Sequence, residues 1–262
     1  MKQHLINVYI FLIFTSGSIF SQVTSEQIHY GASSLSMAAS DIAIPKTSWS
    51  AFVNAAGIVD QQGVTFVASS QSHFSQDFLS HSLFGVQFKN SKYGSFGISF
   101  ENSSVDYSGN NLAAETAIGI HQGISLRSDR NSSFSFGYGL KSYTVDYGSS
   151  AGPSGDGSDG IELGSLNAFG LDVSFLGSLG KRIKVGAKAL NINSPTLGNA
   201  NLATRLPQRS QIGLAYSPYD LVWTTAALNK SVGHPTNFSS GFSYEVQQNI
   251  FLRAGMQSSP NR

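Results

Sequence analysis

The residues best placed for chemistry are acidic. The stretch Gly152-Pro-Ser-Gly-Asp156-Gly-Ser-Asp159-Gly-Ile-Glu162 gathers three carboxylates among glycines. Hard oxygen donors at such spacing could ligate Ca²⁺, which makes Asp156, Asp159 and Glu162 the candidate cation ligands. The spacing departs from the EF-hand loop, and a solvated outer loop accounts equally well for the same composition. Other chemistry finds no foothold. His4, His29, His73, His81, His121 and His234 form neither H-x-x-x-H nor H-E-x-x-H, and His73 and His81 flank a predicted hairpin loop. The many serines include no G-x-S-x-G elbow. Asp41 and Asp60 stand isolated, with no carboxylate pair for acid–base work. No glycine-rich phosphate loop runs into Lys and Ser or Thr. The reading is therefore a protein that is not an enzyme, with no catalytic residue, no cofactor and no other metal site.

The elements that would carry these residues share one texture. From residue 62 onward, short stretches alternate apolar with small polar residues, and turn-rich clusters separate them. Val64, Phe66 and Ala68 share one phase, as do Phe84, Val86 and Phe88, and Phe96, Ile98 and Phe100. Ile118, Ile120, Ile124 and Leu126 oppose Gly119, His121, Gly123 and Ser125; Phe134, Phe136, Tyr138 and Leu140 oppose Ser135, Gly137, Gly139 and Lys141. A period of two is the mark of a strand with unlike faces. Further strands are expected at 169–175, 183–189, 211–217, 220–228, 242–248 and 250–257. Helix signals are confined to a short piece within Leu35–Ile58.

Composition decides which solvent meets the apolar face. Only 12% of the 262 residues are charged, against roughly 25% in ordinary soluble domains, and 27 glycines with abundant Ser and Asn take their place. A sheet facing water with Gly, Ser, Thr and Gln would be poorly protected against edge pairing. In a transmembrane barrel the same pattern fits: Phe, Ile, Leu and Val face lipid while small polar residues face a lumen. Predicted strands of about 8–12 residues match the ~9–11 that cross a tilted bilayer. Tyr93, Tyr143, Tyr147, Tyr216, Tyr219 and Trp223 are expected at the interfaces as aromatic girdles. The near-neutral net charge of +1 gives no basic face for nucleic acid.

At the amino end, Lys2, the apolar run Leu5 to Phe14 and the small residues Ser16 to Ser21 read as an export signal over residues 1–21, cut near Ser21–Gln22. Residues 22–61 then form an amino-terminal plug or periplasmic segment, and 62–262 the barrel. About eleven strands are counted, an odd number where single-chain bacterial barrels are even. The closing Ser258-Ser-Pro-Asn-Arg262 reads as a turn, so the last few strands are expected to be missing.

The stretch Gly31-Ala-Ser-Ser-Leu-Ser36-Met37-Ala38-Ala39-Ser-Asp41-Ile-Ala resembles the opening of the PorV/PorQ-like and FadL-like outer-membrane β-barrel superfamily. Those barrels begin G-A-R-x-x-G-M-G-G-A, then an acidic spacer, then W-N-P-A-G. Here Ser36, Ala38 and Ala39 stand in place of glycines. The second half appears as Trp49-Ser-Ala-Phe-Val-Asn54-Ala55-Ala-Gly57, with Ala55 at the usual proline. Leu206-Pro207, Gln211 to Pro218 and Leu252-Arg-Ala-Gly255 also resemble later strands of that superfamily. The resemblance implies that the amino-terminal segment lies at the periplasmic end and partly plugs the barrel, with Gly31, Met37, Asn54 and Gly57 as plug elements. An ordinary linker before the first strand is the alternative. Asn54 and Gly57 suit a tight turn, since Asn tolerates the left-handed region and Gly adopts it freely.

Two roles follow from the resemblance. The PorV/PorQ-like branch implies an outer-membrane accessory of type IX protein secretion, with secretion-system proteins or secreted cargo as partners at loops such as Tyr147–Gly164. The FadL-like branch implies transport of hydrophobic small molecules past a movable plug. The first is ranked ahead, because a transporter should show an apolar lumen pocket and the predicted lumen face is mainly Gly and Ser. A structural barrel or a secreted soluble module ranks third. Outer-membrane lipid is the partner common to both membrane readings, in a Gram-negative cell outer membrane.

Overall fold

The computed structural model describes residues 30–72, 78–90, 92–107, 110–150, 152–155, 159–198 and 203–258. The segment read as an export signal and the closing 259–262 lie outside them. Eleven strands form one antiparallel sheet in chain order: β1 Val64–Ser72, β2 Leu79–Asn90, β3 Gly94–Tyr107, β4 Asn110–Ser128, β5 Ser132–Asp146, β6 Ser165–Leu179, β7 Ile183–Leu190, β10 Arg209–Tyr216, β11 Val222–Ser231, β12 Asn237–Gln247 and β13 Ile250–Ser258. β8 Thr196–Leu197 and β9 Thr204–Arg205 pair as a separate small hairpin. The predicted all-β fold and strand count therefore match the main sheet. Nearest-neighbour connectivity follows from the short turns, since antiparallel strands close with a few residues.

The sheet curls into a barrel wall around residues 30–61, which touch strands from β1 to β13. Those residues form two short helices, α1 Gly31–Ser36 and α2 Ser50–Val53, with 3₁₀ turns at Asp41–Ala43 and Ala55–Asp60. α1 packs against both β1 and β13, the two edges of the sheet. In this antiparallel order the turns 92–93, 129–131, 180–182, 217–221 and 248–249 lie at one end of the barrel, and the long connections after β5 and β7 leave from the other.

Side-chain direction follows the predicted phase. On β5, Phe134, Tyr138 and Leu140 point outward and are exposed, while Ser135, Gly137, Gly139 and Lys141 point inward and are buried. β4 repeats this, with Ile118 and Ile120 outward against Gly119, His121 and Gly123. The outer surface is thus a belt of Phe, Ile, Leu and Tyr. Strands β3 to β6 are longer than predicted, up to 19 residues in β4. Their hairpins continue past the apolar belt into polar sequence such as Asn102–Ser104, where hydrogen bonding persists after the hydrophobic alternation has ended.

Two of the expected girdle residues turn inward. Tyr143 is only 2% exposed, because it shares the inward phase of Gly139 and Lys141. Trp223 shares the inward phase of Thr225 and Ala227 and lines the short-turn end of the lumen. Tyr93, Tyr147, Tyr216 and Tyr219 are exposed as expected.

Candidate functional site: a stoppered lumen

The lumen holds three layers, and the lowest is the plug. Gly31 begins α1 at φ +70°, and a Cβ there would lie 2.5 Å from the Trp49 ring, so both conformation and space demand glycine. Trp49 in turn packs on Phe52 at 5.4 Å between ring centroids, and Phe52 on Tyr30 at 5.6 Å. With Ala51, Val53, Ala55, Ile58 and Leu83 these rings form a buried apolar core inside the barrel. Burial pushes the Tyr30 phenol up to about 12, so it stays neutral.

The wall meets the plug through glycines. Inward Gly85 (β2), Gly97 (β3), Gly123 (β4), Gly137 (β5), Gly186 (β7) and Gly213 (β10) each lie so close that an added Cβ would stand 2.3–2.9 Å from a plug atom. On β12 and β13, Gly241 and Gly255 do the same around Ser40 and Met37. At Gly123, Gly137, Gly186 and Gly255 the plug atom is backbone, which cannot swing aside. Glycines on eight of the eleven strands therefore form a seat for the amino-terminal segment.

Polar pegs fix the plug in that seat. Asn54 Nδ2 donates to the Ile42 and Phe175 carbonyls, each at 3.0 Å, and its Oδ1 accepts from Ala56 N at 3.1 Å. Asn54 thus ties two plug segments to β6. Ala56 N also reaches Ser174 Oγ at 3.1 Å, Ala51 N donates to Gln87 Oε1 at 3.1 Å, and Ser40 Oγ bonds Thr225 Oγ1 at 2.6 Å. The expected left-handed turn at Asn54 and Gly57 does not occur. Asn54 is extended (φ −160°), because its side chain is engaged as the cap of the following 3₁₀ turn. Gly57 is not among the positive-φ residues and leaves space for Ser50 Oγ, 3.1 Å from an added Cβ. The left-handed backbone lies instead at Ala38 (φ 52°) and Ala39 (φ 57°), the positions where the resembling pattern has glycine. Met37, only 1% exposed, sits directly before them against Gly241 and Gly255.

Above the plug lies a charged collar that sequence reading missed. Lys141 Nζ on β5 meets Glu101 Oε1 on β3 at 3.0 Å, with side chains 5% and 2% exposed. Asp172 on β6 accepts from Asn191 N at 2.9 Å, and Asn191 Nδ2 donates to the Pro207 carbonyl at 3.2 Å. Lys188 from β7 stands over the Tyr30 ring, 5.2 Å from its centroid, so collar and plug touch. His121 lies against Gly119 and Gly139, its Nε2 2.8 Å from Ser99 Oγ.

The third layer closes the long-loop end. Leu197 and Leu206, from the 191–208 connection, are buried against Ala117, Tyr143, Val145 and Ala168. On the opposite side, below the plug, a cavity of about 960 Å³ opens at the short-turn end, lined by Asp41, Trp49, Lys184, Trp223 and Arg253 among others. Asp41 belongs to the plug; Ser34 Oγ donates to its Oδ1 at 3.1 Å, and burial raises its carboxyl above the ordinary 3.8 against the pull of Lys188 and Arg253.

The acidic loop is assembled differently. Asp156 lies outside the described residues. Asp159 Oδ1 accepts from Ser154 Oγ at 2.5 Å and from Ser154 N at 3.1 Å, which hold its carboxyl below the usual range, and Glu162 bridges to Ser149 in the backbone pairing. Among the described residues no group of three acidic, His or Cys side chains comes together to hold a metal.

No family model matches the chain, and no curated protein does either. Solved structures do. The toluene transporter TodX of Pseudomonas putida superposes with a TM-score of 0.59 at 13% identity, covering 90% of this chain and 85% of that one. The deltaS2 mutant of the TodX monoaromatic hydrocarbon channel gives 0.58 at 12% identity, over 89% and 84%. The fold is that of the TodX barrel.

Proposed function

We propose that this chain is a plugged outer-membrane β-barrel that passes small apolar molecules, monoaromatic hydrocarbons among them, by displacing its amino-terminal segment. The observation that carries this reading is the stoppered lumen: a glycine-seated plug inside a barrel whose outer belt is apolar. Backbone groups in lipid must be satisfied internally, and here each main-sheet strand from β2 to β12 pairs on both sides while α1 lies against the two edge strands β1 and β13. An apolar belt is stable against acyl chains and poorly suited to water. In the sequence the secretion-accessory role ranked first. Likeness to a hydrocarbon channel reverses that order, and the PorV/PorQ-like role gains no support of its own. Residues 1–21 serve as the export signal in this reading, and Gly31, Met37, Asn54 and Gly57 as plug elements.

The polar collar does not offer a wide apolar path in this closed arrangement, so passage requires the plug and the Leu197–Leu206 cover to move. In cells lacking the gene, toluene uptake is expected to fall while protein secretion stays normal. Trapped secreted cargo with unaltered uptake would restore the secretion role. In proteoliposomes, wild-type protein should leak little. Asn54→Ala removes the ties to Ile42, Ala56 and Phe175 and should raise permeability severalfold; unchanged permeability contradicts a gating plug.

A further inference from the structure

The outward face of β6, β7, β10 and β11 is indented. Strand registers align Phe175, Ala187, Ile212 and Leu228 in one cross-strand row. The next row, toward the long-loop end, is Val173, Ala189, Ser210 and Lys230. Alanine fills both β7 positions and serine the neighbouring β10 position, while Phe175 and Leu228 stand tall on either side. A groove of about 410 Å³ results, a size within the roughly 300–1,000 Å³ of small-molecule sites.

The groove is apolar along its floor and basic at one end. Lys230 is the penultimate residue of β11, at the end from which the long loops rise. An outward lysine is costly at mid-depth of a bilayer but tolerated near the interface, where its stem lies on apolar surface and its ammonium reaches the headgroups. Its Nζ donates to the His234 carbonyl at 2.7 Å, and no carboxylate pairs with it among the described residues. Arg127, near the short-turn end of β4 and away from the groove, is by contrast paired with Asp129 at 2.6 Å. An ammonium has three donors, so two remain for an anion.

We infer that this groove holds one acyl chain of a phosphate-bearing membrane lipid in the leaflet beside the long loops, with Lys230 on the phosphate. The inference rests on the membrane-barrel reading above. Small residues on β7 supply the space, apolar flanks exclude water from the chain, and the lysine selects the headgroup. Since long loops lie on the extracellular side of bacterial barrels, the leaflet is the outer one.

The test uses the full protein extracted from membranes in mild detergent, delipidated, and mixed with phosphatidylglycerol or with diacylglycerol of the same chains. Native mass spectrometry should show one phosphatidylglycerol retained about fivefold over diacylglycerol, the increment expected for one lysine near anionic lipid. Lys230→Gln should bring the two lipids level, and Ala189→Phe, which fills the floor, should lose both. Equal retention by the wild type, or undiminished phosphatidylglycerol in Lys230→Gln, overturns the inference alone. Recovery of the protein without detergent overturns it together with the membrane reading.

Discussion

The plug seat and the collar occupy neighbouring levels of one lumen yet are built on opposite principles. In the seat, wall glycines meet plug atoms, backbone at four of the eight positions, and specificity comes from shape: an added Cβ at Gly137 would stand 2.3 Å from Ala56 N. In the collar, wall strands meet each other through buried charge, as in Glu101 and Lys141 at 3.0 Å. Shape of the first kind tolerates no added volume. Charge of the second kind tolerates changes made in pairs and resists changes made singly. Lys188 over Tyr30 is where the two principles touch.

The sharpest way to break this contrast is to add volume on each face of the wall. Gly137→Leu should expel the plug and abolish the heat-modifiable folded form on gels. Gly177→Leu, on the outward face with its nearest neighbour 3.8 Å away, should fold normally. Equal tolerance of both would dissolve the seat. In the collar, Lys141→Met strands a buried carboxylate and should cost roughly 3–5 kcal/mol in urea unfolding. Glu101→Leu combined with Lys141→Met should recover most of that loss; a double variant as weak as the single one would deny the pairing.

A third probe addresses Asp41, which belongs to the plug and faces the Lys188 ammonium and the Arg253 guanidinium. Its carboxyl is raised above 3.8 in the folded protein, so its stabilising contribution is full below that pH and is lost as pH rises through the elevated value. The urea midpoint should therefore decline across that window, and Asp41→Asn should flatten the decline. A profile unchanged in Asp41→Asn contradicts the assignment. The smallest effect is expected at Ala38, held at φ 52°. Ala38→Gly should stabilise the plug by about 1 kcal/mol, the cost of the left-handed region for an L-residue, and a loss of stability would show that its methyl contact matters more.

The same contrast explains what could be read from sequence. Inward and outward phases were legible because alternation is local: Phe134 to Lys141 carry their own faces. The seat was half legible, since Gly31 and the small residues after it resemble a plug opening, but nothing local said that Asn54 would cap a 3₁₀ turn and bind β6. Ala38 and Ala39 signalled their left-handed backbone only through the glycines they stand in for. The collar was invisible. Glu101 and Lys141 are 40 positions apart and are brought together by the registers of β3, β4 and β5. Tyr143 and Trp223 looked like interfacial aromatics by type, and only the parity of their strands turns them inside. Leu197 and Leu206 lie in a long connection whose return over the lumen leaves no periodic trace.

The central claim is that β5 presents Phe136, Tyr138 and Leu140 to acyl chains and Ser135 and Lys141 to the lumen. The chain has no cysteine, so single cysteines at these five positions can each carry a small fluorophore in bilayers containing brominated lipid. The structure predicts strong quenching at 136, 138 and 140 and little at 135 and 141. Quenching with the opposite phase, or none at any position, would contradict it.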